Sequence, residues 1–335
     1  MKNILITGGA GFIGTNISLT LLEKGYNVVV VDDLKNAYKK HINKLLKNFD
    51  NLAFYKGDVC DFDFMDKVCG KHDFDTVLHL AAKKYVFESI VHPISYKRNN
   101  MKSLENMMRL SEKYNINKFM FASSITVLGN NAVVDGSEKC EYAPVSPYAE
   151  TKMEGEKELL LWHHKNKEKE VLIFRFTNPI SANTEFMLGD NSKLKKVSLP
   201  AFIVEGGLKQ EKMKFNGNNH STPDGTPVRD YIHITDLARI VCACLEKDLV
   251  GKAEIINVGC GGNGYSVLEI VKEVETCLGR KLEYTFGEKK KGDVAKLVCD
   301  NTKIKTEFNL SPTRSLHEDI EDEIKYRKYL LKKDN

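Results

Sequence analysis

The stretch Ile4–Gly14, ILITGGAGFIG, limits the possible folds more than any other in the chain. A short apolar run ends at Thr7. Glycines then stand at 8, 11 and 14, and apolar residues at helical spacing begin at Phe12. Glycine lets a backbone turn sharply and approach a bound group closely. A helix that opens there presents free N–H donors and the positive end of its dipole to phosphate. A second apolar run, Asn27–Asp32, closes on an acid about twenty residues after the glycines. Strand, glycine turn, helix, strand and acid in that order predict a βαβ unit that binds a dinucleotide. Asp32 can accept from both ribose hydroxyls and would repel a 2′-phosphate. No arginine follows it, so NAD is favoured over NADP.

The rest of the first half repeats the unit. Residues 52–55, 75–80, 118–123 and 170–176 are short, continuous apolar runs separated by helical patterns, the longest over 94–114. Strands apolar on both faces indicate a parallel sheet covered by helices on both sides. The predicted class is therefore α/β: a Rossmann-like, doubly wound parallel sheet. After about residue 178 loops lengthen and elements become short and mixed. We expect a dinucleotide-binding domain over 1–178 and a smaller mixed α/β substrate domain over 179–335. Segments around 230–258 are expected to return to the first domain.

Composition removes several classes. A net charge of +4 on 335 residues, with no clustered basic face, argues against nucleic-acid binding. The eight cysteines contain no Cys-x-x-Cys. Free thiols in a reducing compartment are expected, with no disulfide framework and no metal site. No apolar run approaches a membrane span, and the N-terminal run is too short for a signal peptide, so the cytoplasm is the expected location.

One further stretch carries chemistry. SPYAETK (146–152) sets Tyr148 and Lys152 four residues apart, one above the other on a helix. Such a pair alone describes many exposed helix faces. Here it follows Ser123 and Ser124, at the C-terminal end of the predicted strand 118–123, where the ligand crevice of a parallel sheet lies. A phenol ionises near pH ~10. A lysine ammonium and an oxidised nicotinamide beside it would lower that value and make Tyr148 a general base.

With these motifs the chain resembles the extended short-chain dehydrogenase/reductases, and within them the UDP-hexose 4-epimerases. The segments that carry the resemblance are TGGAGFIG (7–14), GDVCD (57–61), HLAAKKYVFES (79–89), SSITVLG (123–129), SPYAETK, RFTNP (175–179) and DGTPVRDYIHITDLA (224–238). The resemblance implies that Gly8, Gly11, Phe12, Ile13 and Gly14 hold the pyrophosphate of NAD and Asp32 its adenosine ribose. Asp58 and Val59 would meet the adenine. Leu80, Ala81, Ala82, Lys84 and Asn99 would line the cofactor trough. Ser124, Tyr148 and Lys152 would be catalytic, with Lys152 also on the nicotinamide ribose. Asn178, Leu199, Arg229, Lys290 and Asp293 would bind the nucleotide sugar. It further implies a homodimer through helices near 94–114 and 148–162.

The chain also departs from the family pattern. Lys290 stands where a second phosphate arginine is usual. Val197 replaces an asparagine, Leu128 a tyrosine, and Leu297 the residue that limits the sugar pocket. UDP-glucose and UDP-galactose lead as substrates. UDP-N-acetylhexosamine, a UDP-uronate and another nucleotide sugar stay open, as does a reductase or dehydrogenase that releases its cofactor. A 4,6-dehydratase needs a carboxyl acid after the strand-end serine, and the run Ser124-Ile125-Thr126 has none.

Overall fold

The first strand, β1 (Asn3–Thr7), is followed by helix α1 (Phe12–Glu23) and strand β2 (Asn27–Asp32). The unit recurs with α2 (Lys39–Asn48), β3 (Leu52–Lys56), α3 (Phe62–Cys69) and β4 (Thr76–His79). Then come α4 (Val86–Val91), α5 (Pro93–Lys113), β5 (Lys118–Ser124), α6 (Pro147–Lys165) and β6 (Glu170–Phe176). This is a computed structural model, and it describes residues 2–133, 136–194, 197–289 and 294–334.

The six strands and a seventh, Ala253–Val258, form one parallel sheet in the order Ala253–Val258, β6, β5, β4, β1, β2, β3. Alternate residues of each strand feed opposite layers, as the two-residue side-chain period requires. Ile4, Ile6, Val28, Val30, Leu172 and Phe174 face α1 and the helix Ile234–Leu245. Leu5, Val29, Val31, Phe119, Phe121 and Ile173 face α3, α5 and α6. The late segment thus supplies both a strand and a covering helix to the main sheet. Cys242 and Cys244, two apart on that helix, are both fully buried, and all eight cysteines are free thiols.

The remaining elements build a third apolar cluster. It packs the helices Leu199–Lys209, Val267–Leu278 and Leu316–Asp334 against the strand pair Met213–Asn216 and Tyr284–Gly287. Among the described residues no helix is long and apolar enough to cross a membrane. The charged run 163–170 lies mostly at the surface. Lys169 is the exception: it is buried, with Nζ on the Asn115 side-chain oxygen at 2.6 Å.

Candidate active site

β1 and β4 are neighbours, yet the chain leaves them towards opposite edges of the sheet. Such a switch point opens a crevice beyond the strand ends. Gly8 follows β1 with φ +70, and a Cβ there would lie 2.8 Å from the backbone of Ala81. Only glycine lets the two loops touch. A Cβ on Gly14 would lie 2.5 Å from the Cα of Gly9, so α1 can start directly against the turn. Gly9 itself, which spacing did not single out, packs on Val30, where a Cβ would come within 2.7 Å. Gly11 differs. A Cβ there meets only the Gly8 carbonyl, at 3.3 Å, and no side chain caps α1 at this residue. Phe12, Ile13 and Gly14 therefore open a helix N-terminus that no side chain has closed.

The acids sit beside this loop. Asp32 is buried at the end of β2, and its two oxygens accept from Ala10 N at 3.1 Å and Leu34 N at 2.8 Å. Burial raises its pKa, and these backbone donors pull the other way. Burial also pushes Asp58 up, but the Cys60 N–H and Lys35 Nζ, at 2.9 and 3.0 Å, win and hold it below the usual value. Val59 is buried, its carbonyl accepting from Asn106. Leu80 N and Ala81 N donate to the backbone and hydroxyl oxygens of Thr7, so the loop after β4 is pinned to β1. Ala82 and Asn99 are half-buried in that region, whereas Lys84 is exposed over the Tyr85 ring.

β5 is buried along its whole length and ends at Ser124. α6 starts as its sequence dictates: Ser146 Oγ caps the Ala149 N–H at 3.2 Å, and Pro147 occupies the first turn. Tyr148 follows, its own N–H held by Ser89 Oγ of α4 at 3.1 Å. Ser124 stands close enough to the Tyr148 phenol to favour its ionised form, and Ser124 Oγ accepts from the Thr126 hydroxyl at 3.0 Å. Lys152 lies one turn on, 5 % exposed, with Nζ donating to Ala122 O at 2.6 Å and lying over the Phe121 ring. The serine, tyrosine and lysine thus share one corner of the sheet.

Their electrostatics differ from the simple expectation. Burial pushes the Tyr148 phenol up to about 12, opposed by the neighbouring Ser124. Burial also pushes Lys152 down to about 8, opposed by the charge of Glu156. Among the chain's own groups, burial outweighs any lowering of the tyrosine by the lysine.

Behind this corner lies a polar network that motif spacing missed. Glu156, one turn beyond Lys152, accepts from Ser123 Oγ, from Tyr142 at 2.9 Å and from Arg175 Nη2 at 2.8 Å. Glu156 and Arg175 are 0 % and 1 % exposed. The signal in the sequence is an arginine inside an apolar strand, which must carry a buried partner.

The residues expected at the sugar nucleotide are more dispersed. Asn178 opens the strand Asn178–Ile180, and its side-chain amide donates to Asp230 O at 2.8 Å, as does its backbone N–H at 3.1 Å. Arg229 lies on the strand Val228–Arg229, opposite Leu297 and Tyr265, with Nη1 on Val228 O. Leu199 begins its helix and packs on the third cluster. Lys290 and Asp293 lie outside the described residues. Two departures from the family pattern meet in space: Leu128 and Leu297 pack in one cluster with Ile125, Val127 and Cys299.

A model of the NAD dependent epimerase/dehydratase family matches residues 4–259. The chain belongs to this family. UDP-glucose 4-epimerase of Bacillus subtilis is 35 % identical over 318 residues, which is 94 % of each chain. The structure superposes on UDP-glucose 4-epimerase from Bifidobacterium longum, in complex with NAD+ and UDP, with a TM-score of 0.93, 30 % identity and 98 % of each chain covered. A Stenotrophomonas maltophila UDP-glucose-4-epimerase, with bound NAD and formylated UDP-arabinopyranose, gives 0.92 at 27 % identity, covering 99 % of this chain and 100 % of that one. The family member described here thus shares its whole architecture with UDP-glucose 4-epimerases.

Proposed function

We propose that the protein is an NAD-dependent 4-epimerase of a UDP-hexose, with UDP-glucose and UDP-galactose as the pair it interconverts. The observation that carries this reading is the convergence of Ser124, Tyr148 and Lys152, the last one helical turn from the tyrosine, at the strand ends beside the glycine loop. The loop fits the cofactor: an uncapped helix start, a Gly11 whose missing Cβ would meet only the Gly8 carbonyl, and the Asp32 carboxylate lie together. Gly8, Gly11, Phe12, Ile13 and Gly14 would hold its pyrophosphate, Asp32 a ribose, Asp58 and Val59 the adenine, and Lys152 the nicotinamide ribose. When bound, NAD takes up and returns the C4 hydride, and its oxidised ring adds positive charge near Tyr148.

Tyr148 takes the proton of the sugar 4-hydroxyl and later gives it back. Ser124, next to the phenol, orients that hydroxyl. Lys152, once its ammonium faces the phenolate, stabilises the charge that burial otherwise opposes. The sugar passes through a 4-ketone and must turn before reduction on its other face. The side chain that confines it therefore has to leave room, and the binding energy has to sit on the nucleotide, at Arg229, Asn178, Leu199, Lys290 and Asp293. We assign NAD binding to residues 1–178 together with 230–258, and nucleotide-sugar binding to the remainder.

A second reading rests on Leu297. It packs with Ile125, Val127 and Leu128, the run that follows Ser124, and a leucine is smaller than a tyrosine, so an N-acetylated sugar is the competing substrate. Both readings meet one test. The pure protein, without added cofactor, is incubated with UDP-glucose, UDP-galactose and UDP-N-acetylglucosamine, and C4 epimers are followed by NMR. Interconversion of the first two with no net change at the nicotinamide absorbance is expected. A need for stoichiometric NAD or NADH would overturn the epimerase in favour of a dehydrogenase or reductase.

A further inference from the structure

The helices Val267–Leu278 and Leu316–Asp334 pack against one another in the third apolar cluster, through Ile270, Val271 and Val274 on one side and Ile320 and Ile324 on the other. At the edge of this contact stand Glu273 and Cys277, four residues apart and so on one face of their helix. His317, in the first turn of the other helix, faces both. Its Nδ1 lies 2.6 Å from a Glu273 carboxylate oxygen and 3.6 Å from Cys277 Sγ, and that sulfur lies 3.8 Å from the same oxygen. Among the described residues this is the one group of three or more histidine, cysteine or acidic side chains placed to hold a metal ion.

We infer that Glu273, Cys277 and His317 form a zinc site that clamps the C-terminal helix to its neighbour. Tetrahedral zinc with bonds of about 2.3 Å to sulfur and about 2.0–2.1 Å to nitrogen or oxygen holds its ligand atoms about 3.3–3.6 Å apart. Two of the three separations are already close to that. The third, between carboxylate and imidazole, is a hydrogen bond that opens by roughly 0.7 Å when a metal at this bond length takes the proton's place. The other ring nitrogen is also provided for. His317 Nε2 faces Glu321 at 3.8 Å, one turn along the same helix. A metal-ligating imidazole commonly turns its second N–H to a carboxylate, which fixes ring and tautomer. An ion pair alone would need the carboxylate and the imidazole, and gives no reason for a thiol to close the triangle. One sulfur, one nitrogen and one oxygen suit zinc and disfavour magnesium or calcium, which prefer oxygen alone. Three protein ligands leave the fourth position to water, because His317 is 52 % exposed.

The site shares no side chain with Ser124, Tyr148 or Lys152, so metal should leave basal turnover unchanged. The full-length protein, stripped of metal, is titrated with zinc against a chromophoric chelator, and separately with cobalt(II). We expect one ion per chain and a thiolate-to-cobalt charge-transfer band. Cys277→Ser should remove that band, and His317→Gln should weaken zinc binding at least tenfold. Glu321→Gln should weaken it by about 10- to 100-fold, as loss of an outer carboxylate does elsewhere. Circular dichroism and NAD content identical to the parent show that the variants are folded. Zinc binding left intact by both Cys277→Ser and His317→Gln, or a cobalt spectrum without sulfur, overturns the site.

Discussion

Tyr148 and Lys152 meet opposite effects of the same burial. Loss of water disfavours whichever form is charged, so the phenol rises to about 12 and the ammonium falls to about 8. At neutral pH the tyrosine therefore keeps its proton while the lysine stays mostly charged. A positive charge beside the phenol opposes that, and in the proposed mechanism Lys152 and the oxidised nicotinamide ring would supply it, which ties the proposed base to the cofactor. Tyr148→Phe is expected to lower kcat by about 10²- to 10⁴-fold, the usual weight of a general base. Bound NAD, released by denaturation and measured by absorbance, should stay at the parent level. Near-normal turnover in this variant removes Tyr148 from the mechanism.

At the scale of elements, α6 does two things. Its first turn is written locally, in a serine cap, a proline and the tyrosine that follows. Its third turn is fixed at long range, where Glu156 ties it to Ser123 of β5 and Arg175 of β6. That tie aligns the helix carrying Tyr148 and Lys152 with the strand carrying Ser124. Removing one member of a buried ion pair leaves the other charge without compensation, at a cost of about 3–5 kcal/mol. Glu156→Ala should therefore lower the urea unfolding free energy by that amount, and Glu156→Gln by less, because its amide oxygen still accepts a hydrogen bond. A loss under about 1 kcal/mol for Glu156→Ala would mean that the network is not closed as described.

At the scale of the whole molecule, the apolar surface is uneven. Phe87, Ile90 and Val91 of α4 and Ile94 at the start of α5 are 70, 51, 57 and 82 % exposed. On α6 Leu161 is 58 % exposed, while Leu159 and Trp162 belong to the core. The striping of the two long helices mostly serves internal packing, and the open patch centres on α4. We propose that a second copy of the chain covers it as a homodimer. Phe87→Asp with Ile94→Asp should shift the protein to monomer in sedimentation velocity without loss of helix content. A parent protein that already sediments as monomer at micromolar concentration sinks the proposal.

Much of this molecule is written in short stretches of sequence. The βαβ order, the glycines at the switch point, the SP start of α6 and the position of Ser124 at a strand end follow from backbone geometry and side-chain period. These act over a few residues and can be read along the chain. What required the tertiary structure was every partner chosen across the fold. Asn178, expected at the nucleotide sugar, gives its amide to Asp230 O in this fold. Leu128 and Leu297, far apart in sequence, share one apolar cluster. Arg175 finds Glu156, and Cys277 finds His317, forty residues on. A buried charge or an apolar side chain announces that it needs a partner. Which partner it gets depends on how the sheet order brings distant segments together, and local spacing carries no record of that.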